Sequence, residues 1–136
     1  MLETTALRLC FERHRDAARD GMRTAADAME RARHAGDRLA VARADTAFHQ
    51  AIAGNCGNGY LIESYRLISG RVAALRTHNL VAADAVRKGS LDEHRALIAA
   101  FAKGDLVRAE TILAEHIRRM RQRYRLAGVR GSRVAA

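Results

Sequence analysis

Apolar residues recur along this chain at intervals of three and four, the spacing at which side chains share one face of an α-helix. Glycine-containing turns separate the apolar segments: Asp20-Gly21, Gly36-Asp37, GNCGNG at 54–59, and Gly104-Asp105. The predicted helices are residues 2 to about 34 (as one or two), 37–53, 59 to about 78, 91–103 and 106–126, with residues 80–90 as a looser connection. The pattern predicts an all-helical protein.

Composition supports helices and gives no sign of a membrane segment. The chain has no proline and only 4% aromatic residues, which favours helix over strand. No apolar run approaches the roughly 20 residues of a membrane-spanning helix, and the N-terminus lacks the apolar core of a signal peptide. A cytoplasmic protein without membrane contact is therefore the default expectation. Cys10 and Cys56 lack the spacing of a metal-binding pair and are expected to be packed thiols.

The formal charge of +9 comes almost entirely from arginine. Basic proteins often bind nucleic acid, so a small nucleic-acid-binding protein is one open alternative. The arginines are spread over most of the chain, however, and only its end is densely basic. Cations suit the C-terminus of a helix, so we expect a solvated helix end followed by a basic, flexible tail over residues 127–136.

Four ionisable residues interrupt the apolar faces of the predicted helices. Asp45 and His49 are four residues apart and project from one helix face. His94 lies ten residues before Gly104, and His116 lies eleven residues after Asp105. At about 1.5 Å per residue, both histidines lie about 15 Å from that turn. In an antiparallel hairpin they are therefore level with each other.

A carboxylate and three imidazoles in a helical core would be costly unless a partner satisfies them. A divalent metal would do so, since zinc, nickel, manganese and iron all accept nitrogen and oxygen donors. Zinc is the first expectation and the other three are alternatives. Two arrangements without a metal stay open: an arginine could pair with Asp45, and the histidines could be hydrogen-bonded core residues. A metal site could also belong to a helical-bundle metalloenzyme, but no separate acid, base or nucleophile stands out, so we expect no enzyme.

Three segments resemble the C-terminal ligand-binding (FCD) domain of FadR-subfamily GntR transcription regulators. DTAFHQAIAGNCGNGYL at 45–61 is similar to the family's D-x-x-F-H-x-x-I…G-N-x-x-L signature. DEHRALIAAFAKGDLVRAETILAEHIRRM at 92–120 is similar to its E-H…G-D…A…H pattern, and LETTALRLCFER at 2–13 to its first helix. The resemblance covers residues 1–126, and the order and spacing of the fragments are more specific than any one of them.

The resemblance implies an antiparallel bundle of about six to seven helices with a metal in its core, bound by Asp45, His49, His94 and His116. It implies a small carboxylate effector, a homodimer, and control of DNA binding by a winged helix-turn-helix domain. That domain precedes the FCD domain in the family and is not contained in these 136 residues. We therefore expect a truncated piece, a shortened reading frame or a stand-alone sensor domain, with no direct DNA binding.

Three further residues are candidates for contacting the acid. Arg71 lies three residues after Ile68 on the helix that follows the GNCGNG turn, and its guanidinium could pair with a carboxylate. His78 could line the same cavity near the end of that helix. Asn58 is a third candidate, although a helix cap is its simpler role. For Arg71 the simpler role is a surface arginine with a packed stem.

Overall fold

The computed structural model describes residues 2–80 and 84–131, and these residues form six α-helices and no strand. The helices are α1 Leu2–Arg13, α2 Arg15–His34, α3 Arg38–Gly54, α4 Gly59–Leu80, α5 Asp84–Lys103 and α6 Leu106–Gly131. The all-helical prediction is confirmed. Within the described residues no helix has both the length and the apolar character to cross a membrane.

The turns between helices form where the sequence predicts them. Gly36 and Gly104 follow α2 and α5 with φ of 71° and 87°, a left-handed conformation that glycine adopts without the steric cost of a Cβ. Asp37 caps α3 by accepting a hydrogen bond from the backbone N–H of Ala40 at 2.9 Å. Asp105 caps α6 by accepting one from the N–H of Arg108 at 3.0 Å.

The predicted break at Asp20-Gly21 is wrong. Helix α2 runs through both residues, and the chain breaks instead at His14, where φ is −141°. The glycine has a packing function: a Cβ at Gly21 would lie 2.9 Å from the Cβ of Ala51 on α3. Gly21 therefore lets α2 and α3 approach closely, and these two helices form an extensive contact.

The predicted connection over residues 80–90 is also wrong for most of its length. Helix α5 begins at Asp84, so Ser90 lies inside the helix rather than at its N-cap; residues 81–83 lie outside the described residues. Lys88 and Asp92 form an i,i+4 ion pair at 2.8 Å that suits this longer helix. Helix α6 likewise continues five residues past Leu126, to Gly131, and residues 132–136 of the expected tail lie outside the described residues.

The helices pack as a bundle in which α3 is central. α3 contacts α1, α2 and α4, while α5 packs against both α2 and α6. The core between them is lined by large apolar side chains that are fully buried: Leu7, Met22, Met29, Phe48, Ile52, Leu97, Phe101 and Leu113. One region of this interior is polar, and it lies where α3, α5 and α6 face each other.

Candidate metal centre

Four buried residues bring one carboxylate and three imidazoles together inside the bundle. Asp45 and His49 lie one turn apart on α3, while α5 carries His94 and α6 carries His116. Their exposed fractions are 1%, 0%, 1% and 4%, and one donor atom of each lies within 4.8 Å of those of the other three. The rings of His94 and His116 are 4.9 Å apart, which confirms that the two histidines are level.

Two carboxylates outside this set orient two of the imidazoles. His49 Nδ1 donates to Glu3 Oε2 at 2.5 Å, and His116 Nδ1 donates to Glu93 Oε2 at 2.5 Å. With Nδ1 engaged, Nε2 is the nitrogen that each ring has available for a metal, and neither Nε2 has a hydrogen-bond partner. A histidine that binds a metal usually has this arrangement, because the carboxylate fixes both the tautomer and the ring orientation.

The other two members of the cluster also present unpaired atoms. His94 stacks on Phe48 with ring centroids 3.8 Å apart and an interplanar angle of 6°, and neither of its ring nitrogens has a hydrogen-bond partner. Asp45 accepts a hydrogen bond on Oδ1 from the Ser90 hydroxyl at 3.2 Å. Its Oδ2 accepts none. Each of the four residues thus has at least one buried polar atom without a hydrogen bond, although His94 Nε2 lies 3.5 Å from Asp45 Oδ1.

Arg76 on α4 is a site residue that the sequence reasoning missed. Its side chain is 1% exposed, and it donates to Glu3 Oε1 at 2.6 Å and to the Tyr65 hydroxyl at 3.3 Å. Its Nε lies 3.7 Å from Asp45 Oδ2, an ion pair too long for a hydrogen bond. An arginine therefore does lie beside Asp45, as the metal-free alternative requires, but it leaves Oδ2 without a hydrogen bond.

A signal for Arg76 was present in the sequence. Arg76 lies four residues after Val72 and eleven after Tyr65, so helical spacing puts it on the inner side of α4. Glu3 lies within the first-helix pattern, which assigns it no role. Its partners, His49 and Arg76, lie 46 and 73 residues away, and spacing within one helix cannot predict such pairs.

The three predicted acid-contacting residues lie elsewhere on the chain. Arg71 and His78 are exposed on α4. Asn58 Oδ1 accepts a hydrogen bond from the backbone N–H of Leu61 at 3.2 Å, so Asn58 caps α4. The structure does not bring these three into hydrogen-bonding or ionic contact with the four-residue cluster, and their role toward an acid stays a prediction.

Burial favours the neutral form of His49 and His94 by lowering their pKa values, whereas neighbouring side chains keep the Glu3 and Glu93 carboxylates charged. Burial lowers the pKa of His49, and burial with the neighbouring imidazoles lowers that of His94 well below its usual value. Burial opposes ionisation of Glu3, but His49 and Arg76 lower the pKa of its carboxyl to about 2. Burial also opposes ionisation of Glu93, but the hydrogen bond and charge of His116 lower the pKa of the Glu93 carboxyl. Neutral imidazole is the form that binds metal ions.

The donor set fits a divalent transition-metal ion. Three imidazole nitrogens and one carboxylate oxygen are donors that zinc, nickel, manganese and iron accept. Metal bonds of about 2.1 Å place donor atoms about 3 to 4 Å apart, and the four donors within 4.8 Å need only small side-chain shifts to reach that spacing. The buried cluster could therefore hold one metal ion.

Comparison with known proteins identifies the domain family. The family model of the FCD domain matches residues 1–119, which include all six helices except the end of α6 and all four residues of the cluster. No curated protein matches the chain. Because the family match extends over most of the 136 residues, this chain belongs to the FCD domain family, the regulatory domains of GntR-type regulators.

Proposed function

We propose that this chain is the effector-sensing domain of a GntR regulator of the FadR subfamily, and that it binds a divalent metal together with a small organic acid. The observation that carries the proposal is the buried set of Asp45, His49, His94 and His116, with donor atoms within 4.8 Å of one another. Acid binding would control DNA binding by a winged-helix domain outside these 136 residues. A regulator of this kind acts where the DNA is, in the cytoplasm.

Buried polar atoms without hydrogen bonds make a bound metal energetically favourable at this site. Leaving a buried polar atom without a hydrogen bond costs about 1–3 kcal/mol, and the cluster contains five: Asp45 Oδ2, His49 Nε2, both ring nitrogens of His94, and His116 Nε2. A dication would bind one of these atoms from each residue, four in all, while the second ring nitrogen of His94 would keep the proton of the neutral imidazole. Zinc is our first choice because it accepts three imidazoles and one carboxylate as ligands and can expand to five-coordination when a carboxylate binds. Nickel, manganese and iron are alternatives that would keep coordination positions for an acid.

A carboxylate is the ligand that this environment favours. Its oxygens can bind a metal directly, and guanidinium groups pair with it in a bidentate manner. Arg76 is our main candidate for this guanidinium because it is buried beside Asp45. Arg71, His78 and Asn58 remain candidates for outer contacts with a larger acid. An acid that binds between helices shifts the equilibrium between two conformations of the domain. The size of the shift is set by the difference in the acid's affinity for the two conformations.

We also propose that the domain forms a homodimer. Three large apolar residues on the outer side of α4 support this: Tyr60, Leu67 and Leu75 are 92%, 83% and 48% exposed. Their spacing of seven and eight puts them on one helix face, and such exposed apolar stripes often mark protein interfaces. In analytical ultracentrifugation we expect the wild type to sediment as a dimer and Leu67→Glu to weaken it. A monomeric wild type would contradict this part of the proposal.

Calorimetric titration of small carboxylic acids tests the sensing function. We expect a zinc-loaded protein to bind at least one of a panel of mono-, di- and hydroxycarboxylic acids saturably, and the EDTA-treated protein to bind it much more weakly. Arg23→Ala is the control variant, because Arg23 is exposed on α2 and has no proposed contact with the acid, so its loss should change affinity little. Binding that is equally tight without metal would contradict the proposal, and turnover of the acid would favour the metalloenzyme alternative.

A further inference from the structure

Glu3 connects the four-residue cluster to the first helix of the domain. It is the second residue of α1, and its side chain is only 11% exposed. One carboxylate oxygen contacts His49 on α3 and the other contacts Arg76 on α4. We infer that Glu3 is a positioning residue for the metal and that, through it, metal binding is coupled to the docking of α1 on the bundle. This inference rests on the proposed metal site.

The contact with His49 sets which ring nitrogen is available to the metal. Glu3 Oε2 accepts a hydrogen bond from His49 Nδ1 at 2.5 Å, and this leaves the lone pair on Nε2, which has no hydrogen-bond partner. Without an acceptor at Nδ1, the ring could carry its proton on Nε2 or turn away from the centre. A carboxylate in this position also makes the imidazole a stronger electron donor to a metal.

The contact with Arg76 balances a charge that would oppose the metal. The guanidinium Nε lies 3.7 Å from Asp45 Oδ2, so Arg76 and a dication would compete for the same carboxylate, and their like charges repel at close range in a buried site. Glu3 Oε1 accepts from Arg76 at 2.6 Å and supplies a compensating negative charge. Removing that charge should leave Asp45 more strongly bound to Arg76 and less available to the metal.

The same contacts make α1 respond to the metal. A metal on His49 Nε2 withdraws electrons from the ring, so the Nδ1–H becomes a stronger hydrogen-bond donor to Glu3 and holds α1 more tightly. By thermodynamic linkage, an α1 that is docked must in turn strengthen metal binding. The ion pair of Arg8 with Glu110 also joins α1 to α6 at 2.8 Å, but it lies at the surface and contacts none of the four residues of the cluster.

Glu93 provides the comparison that separates the effect on metal binding from the effect on the docking of α1. It accepts from His116 Nδ1 as Glu3 does from His49, but it lies on α5, and its other partner is Arg119 on α6 at 2.8 Å. Loss of Glu93 should therefore weaken metal binding without releasing α1. Loss of Glu3 should do both.

The test uses Glu3→Gln, Glu93→Gln and Glu110→Gln in the full chain, with Zn²⁺ as the probe. Zinc affinity is measured by competition with a chromophoric chelator, and amide hydrogen exchange in α1 is measured in EDTA and at saturating zinc. We expect Glu3→Gln and Glu93→Gln to bind zinc about 10- to 100-fold more weakly than the wild type, and Glu110→Gln to bind it equally well. Zinc should slow exchange in α1 in the wild type, Glu93→Gln and Glu110→Gln, but not in zinc-saturated Glu3→Gln.

Three results would overturn the inference while leaving the metal site intact: zinc affinity unchanged in Glu3→Gln, α1 exchange in the wild type that does not depend on zinc, or zinc protection of α1 that persists in Glu3→Gln. The comparison of the wild type with and without zinc does not depend on any variant, so it remains decisive if Glu3→Gln does not fold. A wild type that binds no zinc would instead refute the proposed metal site itself.

Discussion

Replacing His94 by leucine should have opposite effects on stability with and without metal. His94 is 1% exposed, and neither ring nitrogen has a hydrogen-bond partner. In the metal-free protein this imidazole is a buried polar group with unmet hydrogen-bonding capacity. Leucine is of similar size and has none, so His94→Leu should stabilise the metal-free protein and destabilise the metal-bound one relative to the wild type.

The expected magnitudes follow from two opposing contributions. Removing the unpaired nitrogens should raise the free energy of unfolding by about 1–3 kcal/mol. Losing the ring stacked at 3.8 Å on Phe48 should lower it by about 0.5–1.5 kcal/mol. The net effect without metal is a stabilisation of about 1 kcal/mol. With zinc at about 1,000 times its dissociation constant, the wild type gains about 4 kcal/mol, and His94→Leu should lose most of this gain.

Urea denaturation at pH 8, in EDTA and in excess zinc, measures both effects. Leu113→Ala is the control, because Leu113 is fully buried and apolar. It should lower stability by about 2–5 kcal/mol in both conditions and leave the gain from zinc unchanged. If His94→Leu lowered stability by the same amount with and without zinc, His94 would be an ordinary core residue and the reasoning would be refuted.

Two other perturbations test the electrostatics and the packing. Because burial lowers the pKa values of folded His49 and His94, the unfolded chain takes up protons that the folded chain does not. The metal-free protein should therefore lose stability as pH falls below about 6.5, by up to about 1.4 kcal/mol per pH unit for each histidine; urea midpoints that are constant from pH 7 to 5 would contradict this. Gly21→Ala should destabilise by about 1–3 kcal/mol because its Cβ would lie 2.9 Å from Ala51 Cβ. A Cβ at Gly89 would meet nothing within 4 Å, so Gly89→Ala should stabilise α5 by up to about 1 kcal/mol. Equal effects of Gly21→Ala and Gly89→Ala on stability would refute the close approach of α2 and α3.

The features that depend on short stretches of sequence could be predicted. The turns at Gly36 and Gly104 follow from a left-handed glycine and a capping aspartate within two residues. The meeting of His94 and His116 also follows from local geometry, because the rise per residue is constant and a short turn sets the level of two antiparallel helices. Their placement needed no knowledge of the rest of the fold.

The features that depend on packing between distant segments could not be predicted in this way. Gly21 resembles a helix break, and only Ala51 on a neighbouring helix shows why a glycine is needed there. Ser90 has the features of a helix cap, but α5 extends past it and its hydroxyl donates to Asp45. Glu3 joins the site because α1 packs beside α3 and α4, a relation that no local spacing contains.

The metal content of the purified protein tests the central claim most directly. Protein prepared without chelator and analysed by inductively coupled plasma mass spectrometry, before and after dialysis against zinc, should carry about one divalent ion per chain, as expected for one four-residue cluster. His94→Ala and His116→Ala, purified in parallel, should carry far less. A folded wild type with no stoichiometric metal, either as purified or after dialysis against zinc, would contradict the claim that the buried aspartate and three histidines form a metal site.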